Sequence, residues 1–179
     1  DDALLANGAG NYTTWLHRLY RHRGIGTQLA PYAGAMGYGV PAAVAAKLLR
    51  PASTVISWNG DGCFLMNGQE LATAVQYRLA SVFVVIDNGM YGTIRMHQER
   101  EYPGRDHGTR LVNPDFARLA EAFGAYGAAV GTTDEFGTAL AGALALLYVD
   151  RSRCEQFGKV RQIWARAQGY VYSDVDPQL

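Results

Sequence analysis

The chain has 179 residues, 49% of them hydrophobic, enough for one domain with a real core. Its 16 Lys and Arg balance 16 Asp and Glu, which argues against a general nucleic-acid binder, and the apolar content excludes disorder. No apolar run approaches the ~20 residues of a membrane span, and Cys63 and Cys154, the two cysteines, fit a reducing cytoplasmic compartment better than a disulfide framework or a zinc site.

Ala3 to Ala6 is a short apolar run ending in the turn pair Asn7-Gly8. Thr13 to Tyr20 is expected as a short helix with Trp15, Leu16 and Leu19 apolar, and residues 21–35 as glycine-rich loop. Val40 to Leu49 is a predicted helix of small residues with Pro41 in its first turn, stopped by Pro51. Thr54 to Trp58 is an apolar strand entering Gly60-Asp61-Gly62. Phe64 to Tyr77 is expected as one helix with Leu65, Leu71, Ala72 and Val75 on a face. Val82 to Ile86 is a nearly continuous apolar strand ending at Asp87-Asn88-Gly89, as in a parallel strand buried on both faces.

Asn113 is expected to cap the next helix, with Pro114 at its first position, a stripe of Phe116, Leu119, Ala120 and Phe123, and Gly124 after its end. A strand over Tyr126 to Val130 precedes the capping box Thr132-Thr133-Asp134-Glu135 and a helix carrying Phe136, Leu140, Leu144 and Leu147. Alternating strands and helices imply an α/β fold, a mostly parallel sheet with helices on both faces. Residues 1–147 form the expected domain. Residues 148–179 are richer in charge, with a helix expected at Gln156 to Ala167 and a strand at Tyr170 to Tyr172.

The chemistry concentrates in Gly60-Asp61-Gly62 and Asn88, each where an apolar strand gives way to loop. One helix separates them, so a right-handed crossover would bring both strand ends to one rim, where open α/β sheets bind ligands. Asp61 and Asn88 together offer a carboxylate and an amide oxygen, hard donors suited to Mg²⁺ or Ca²⁺. Gly62 would let the backbone approach a phosphate, with the following helix start aimed at the same anion. Asp-Gly and Asn-Gly are also ordinary turn dipeptides; the pairing of two such turns around one strand–helix–strand unit is the more specific feature.

Gly60-Asp61-Gly62-Cys63, followed by Asp87-Asn88-Gly89-Met90-Tyr91-Gly92, resembles the diphosphate-binding motif of thiamine diphosphate enzymes. Gly34 to Ala43 resembles the segment that supports the bend of that cofactor. The likeness covers about residues 3–147 and is nearest the acetolactate synthase-like branch, in its C-terminal diphosphate-binding domain. It implies a Mg²⁺ ion held by Asp61, Asn88 and the Met90 carbonyl. It implies that Asn11, Tyr12, Gly60, Gly62, Cys63 and Ile94 lie along thiamine diphosphate, that the Gly34 carbonyl accepts from its aminopyrimidine, and that Met36 wedges beneath it. A core methionine is the plain alternative for Met36.

The resemblance also implies a 2-oxo acid substrate, decarboxylated with or without carboligation. A pyrimidine-binding domain, in a longer chain or a partner, would supply the activating Glu, and the complete enzyme would be a homo-oligomer. His97 stands where biosynthetic members carry a substrate-contacting Trp, so it is a candidate for substrate chemistry beside the reading of a solvated helix histidine. Tyr102-Pro103-Gly104-Arg105 reads as a loop over the site. The expected final apolar strand is missing after Leu147, which suggests a truncated, frame-shifted or variant end. Two rivals stay open. Gly8-Ala9-Gly10-Asn11-Tyr12-Thr13 echoes a nicotinamide-binding GxGxxG, with Thr13 in place of the third glycine and no acidic partner. A non-catalytic phosphate-binding or assembly module is the other, and His17, Arg18, Arg21, His22 and Arg23 would then be an interface or a solvated helix end.

Overall fold

The computed structural model describes residues 3–152 and 161–165. In chain order the elements are β1 (Leu4–Asn7), α1 (Thr13–Leu19), β2 (Gln28–Leu29), α2 (Gly39–Leu49), β3 (Val55–Gly60), α3 (Asp61–Asn67) and α4 (Glu70–Gln76). They continue with β4 (Val82–Ile86), α5 (Gly92–Glu101), α6 (Phe116–Ala122), β5 (Ala129–Val130), α7 (Thr133–Ser152) and β6 (Arg161–Ala165). The strands form one six-stranded sheet in the order β2-β1-β3-β4-β6-β5. Every pairing is parallel, as the strand–helix alternation implies.

Strand β4, in the middle of the sheet, explains the two-sided packing. Val82 and Val84 project to one face, while Phe83 and Val85 project to the other, because side chains alternate along a strand. Phe83 and Val85 join the larger core with Leu4 of β1 and with Val40, Val44, Phe64, Leu71 and Phe116, drawn from α2, α3, α4 and α6. Val82 and Val84 pack with Ala143, Phe136, Leu140 and Leu144 of α7 and with Trp58. Each large apolar side chain, fully buried, is worth about 1.5–3 kcal/mol. Within the larger core the Phe64 and Phe116 rings meet edge to face at 5.6 Å.

Several expectations are corrected. The helix expected over Phe64 to Tyr77 is two, α3 and α4, parted at Gly68, which the Phe64 ring approaches so closely that a Cβ there would lie 2.6 Å from it. The loop at 21–35 contains β2, which pairs with β1. The strand expected over Tyr126 to Val130 is confined to Ala129–Val130. Asn113 does not cap α6: Asp115 does, accepting from the Arg118 amide at 3.1 Å, so Pro114 precedes the cap. Where a helix was expected at Gln156 to Ala167, Arg161–Ala165 is strand β6, lying between β4 and β5. The strand expected at Tyr170 to Tyr172 lies outside the described residues. The capping box ahead of α7 forms as expected, with Thr132 Oγ1 accepting from the Glu135 amide and Glu135 Oε2 from the Thr132 amide.

Candidate functional site

Chain order and sheet order define the site. From β1 the chain passes to β2 on one side and later to β3 and β4 on the other. The loops leaving the carboxyl ends of β1 and β3 therefore diverge, the arrangement in which open α/β sheets form a ligand crevice. Gly60 pairs with Ile86 across β3 and β4, so Asp61 and Asp87 leave the sheet side by side at that rim.

Asp61 is the best-tethered polar group there. It is 3% exposed. Its Oδ1 accepts from the Gly62 amide at 2.8 Å, and its Oδ2 from the Gly89 amide at 2.9 Å and the Asn113 Nδ2 at 2.7 Å. The bond to Gly89 joins the end of β3 to the loop bearing Asn88, bringing the two sequence motifs to one place. Burial raises the Asp61 pKa above the ordinary carboxylate value; Asn113 and the Gly62 and Gly89 amides pull it back, and the neighbouring Asp87 charge pushes it up.

Asn88 is exposed, and its side-chain oxygen accepts from the Met90 amide at 3.2 Å. The Met90 carbonyl accepts from the Gly92 amide at 3.0 Å. Each of these oxygens has a second lone pair. One buried carboxylate, one amide oxygen and one carbonyl at a single rim form an all-oxygen donor set, which fits Mg²⁺ with its remaining positions left for phosphate and water. Among the described residues no cluster of three His, Cys, Asp or Glu offers a softer metal site.

The glycines of the motif are places where side chains crowd the backbone. A Cβ on Gly60 would sit 2.8 Å from the Tyr12 ring, and one on Gly62 would sit 2.5 Å from Tyr91 and 3.2 Å from the Met36 methyl. Tyr12, Tyr91 and Met36 thus converge on the Gly60–Gly62 turn. The Cys63 thiol donates to the Ala9 carbonyl at 2.8 Å, tying α3 to the loop after β1. Tyr12 lies beside it, and burial, with the Cys63 sulfur and the Asp61 carboxylate as neighbours, pushes its phenol far above its usual range, so it stays neutral. Asn11 docks on α5: its amide donates to Thr93 Oγ1 at 3.0 Å and its Nδ2 to the Met96 sulfur at 3.1 Å.

Asn11, Tyr12, Met36, Gly60, Asp61, Gly62, Cys63 and the Asn88–Met90 loop are therefore gathered around the ends of β1, β3 and β4. Gly34 is on an exposed turn, with φ +64° and its amide bonded to the Pro31 carbonyl. Ile94 and His97 are exposed on α5, His97 with Nδ1 3.2 Å from Arg100. The loop at 102–105 is strapped to α5: the Gly104 amide donates to Glu99, and Gln98 exchanges two hydrogen bonds with the His107 backbone. Trp58 and Asn59, the two residues before the glycine motif, have defined places. Trp58 meets Phe136 edge to face, and Asn59 donates to Ser57, which donates to the Gly39 carbonyl. In the basic cluster, His17 bonds Asn7 and His22 bonds Thr27. Asn113 and Asp87 were not singled out for the site; their only sequence signal was position, Asp87 beside Asn88 and Asn113 before Pro114.

The family model described as "Thiamine pyrophosphate enzyme, C-terminal TPP binding domain" matches residues 8–151. The chain belongs to this family. It is 41% identical over 123 residues to an acetolactate synthase large subunit of Haemophilus influenzae, covering 66% of this chain and 22% of that protein. Against acetolactate synthase isozyme 2 large subunit of Escherichia coli it is 36% identical over 141 residues, 78% of this chain and 26% of the relative. It thus spans about a quarter of the length of these curated relatives. Among solved structures, the thiamine diphosphate-dependent 4-hydroxybenzoylformate decarboxylase of Rhodococcus jostii RHA1 superposes with a TM-score of 0.81 at 30% identity, covering 93% of this chain and 30% of that one. The crystal structure of a benzoylformate decarboxylase from Polynucleobacter necessarius, at 24% identity and a TM-score of 0.78, shares the fold. This is a thiamine diphosphate-binding C-terminal domain of the acetolactate synthase-like kind. Among the described residues no helix is long and apolar enough to cross a membrane.

Proposed function

We propose that this domain holds thiamine diphosphate through Mg²⁺ and serves an enzyme that decarboxylates a 2-oxo acid, with or without ligation to a second carbonyl compound. The observation that carries this reading is the buried Asp61 carboxylate bonded to the Gly89 amide, which joins the two motif-bearing strand ends at one rim. Asp61, the Asn88 amide oxygen and the Met90 carbonyl would hold the cation. Tyr12, Asn11, Gly60, Gly62 and Cys63 would border the diphosphate, Met36 would support the bend, and the Gly34 carbonyl and Ile94 would face the rest of the cofactor. When bound, thiamine diphosphate supplies the electron sink for loss of CO₂ from the substrate.

This chain's own part is binding and positioning. The neutral Tyr12 adds no charge against an anionic cofactor, and the crowded turn at Gly60–Gly62 fixes where Asp61 emerges. His97, on the helix whose first turn holds Asn11, is assigned to the substrate side. Residues 1–147 are taken as the binding unit, with 148–179 divergent in sequence although Arg161–Ala165 contributes β6. A pyrimidine-binding domain, in a longer chain or a partner, completes the site, and the complete enzyme is a cytoplasmic homo-oligomer. Similarity to acetolactate synthases supports the ligating outcome, and similarity to the hydroxybenzoylformate decarboxylase supports simple decarboxylation.

The test is calorimetric titration of the 179-residue chain with thiamine diphosphate, with Mg²⁺ and with EDTA, followed by a pyruvate turnover assay. Binding that needs Mg²⁺, without turnover by the chain alone, is expected. Binding of NAD with no need for Mg²⁺ would replace this reading with the nicotinamide one, and full turnover would refute the need for a pyrimidine-binding domain.

A further inference from the structure

Two carboxylates emerge side by side at the rim, and their mutual repulsion needs a mediator. Asp61 Oδ2 and Asp87 Oδ1 share the same two donors. The Asn113 Nδ2 lies 2.7 Å from each, so its two hydrogens can serve one carboxylate apiece. The Gly89 amide lies 2.9 Å from Asp61 Oδ2 and 3.1 Å from Asp87 Oδ1. The four groups close a ring that occupies Asp61 Oδ2 twice, while Asp61 Oδ1 accepts from the Gly62 amide. The Asn113 side-chain oxygen is buried without a partner, so its placement is set by the donating end of the amide. Asn113 is also relieved of the helix-capping task its sequence context suggests, because Asp115 caps α6.

We propose that Asn113 is a positioning residue for the cation site: it bridges Asp61 and Asp87, engages Oδ2 of Asp61, and leaves Oδ1 as the oxygen presented to a divalent cation. The proposal rests on the reading of Asp61 as a cation ligand. Asn113 acts through Asp61 and touches neither the cation nor the substrate. A second consequence concerns Asp87. With Asn113 in place its negative charge adds long-range attraction for the cation; without Asn113 the same charge displaces the Asp61 carboxylate.

The experiment measures Mn²⁺ affinity by the electron paramagnetic resonance of free Mn²⁺, with thiamine diphosphate present, on the full chain and its variants. Asn113→Ala is expected to weaken Mn²⁺ binding about tenfold or more, within the range for groups that orient a metal ligand. In an Asp87→Asn background the same substitution is expected to cost less than about threefold, because the repulsion it exposes is gone. Loss of fold stability without that coupling is what a merely structural asparagine would give. If Asn113→Ala does not fold, Asn113→Ser, smaller and still polar, must show the same loss and the same coupling. Unchanged Mn²⁺ affinity in a folded Asn113 variant, or an equal loss in both backgrounds, would overturn the proposal while leaving the cation site standing. Failure of the unsubstituted chain to bind Mn²⁺ would overturn the cation site and this proposal together.

Discussion

The rim between β3 and β4 and the outer helix α5 with its following loop are close in the chain but built on different principles. At the rim, Asp61 is buried and receives three hydrogen bonds, and Tyr12, Tyr91 and Met36 press on glycine backbone. On α5 no residue is buried, and its ties include exposed polar ones such as Gln98 to His107 and Arg100 to Glu101. Buried polar networks tolerate little change, whereas exposed pairs are worth at most about 1 kcal/mol. On the proposed reading, cofactor retention would rest mainly on the rim, and tolerance to substitution would be greater on α5.

The strongest way to break this contrast is Asp61→Ala. It removes the one carboxylate of the proposed donor set, and calorimetry should show thiamine diphosphate affinity in Mg²⁺ falling by more than about a hundredfold, beyond the roughly 10–100-fold typical of supporting groups. Next is Gly62→Ala, whose new methyl would meet Tyr91 at 2.5 Å. Urea unfolding should show a loss of about 1–3 kcal/mol from overpacking. The third is a pH effect. Folding raises the Asp61 pKa, so the folded state holds that proton more tightly than the unfolded chain. The resulting stability is fully present below the ordinary carboxylate value and is lost as pH rises through the raised one. Melting without divalent metal should show this decline, and Asp61→Asn should flatten it. The smallest effect is expected at His97, where His97→Ala should change stability by less than about 0.5 kcal/mol and cofactor affinity by less than about twofold.

Local patterns made much of the fold legible. Val82 to Ile86 reads as a buried strand because its apolar run is continuous, and α7 reads from a capping box that forms as written. Helix α5 gives no such pattern, since it buries nothing and carries no apolar stripe. Strand β6 lies in a segment whose charges broke the expected apolar run, and pairing with β4 and β5 decides it instead. The glycine–aspartate motif and Asn88 were readable because each ends an apolar strand. Asn113 was not, because its partners are 52 and 26 residues away and the adjacent Asn-Pro pair mimics a helix start that Asp115 in fact provides.

The most direct probe of the rim is pulsed electron paramagnetic resonance of Mn²⁺ bound to the chain with thiamine diphosphate. A phosphorus hyperfine coupling of directly ligated phosphate, abolished in Asp61→Ala, is the predicted result. Bound Mn²⁺ with no phosphorus coupling, or a coupling that survives loss of the Asp61 carboxylate, would contradict it.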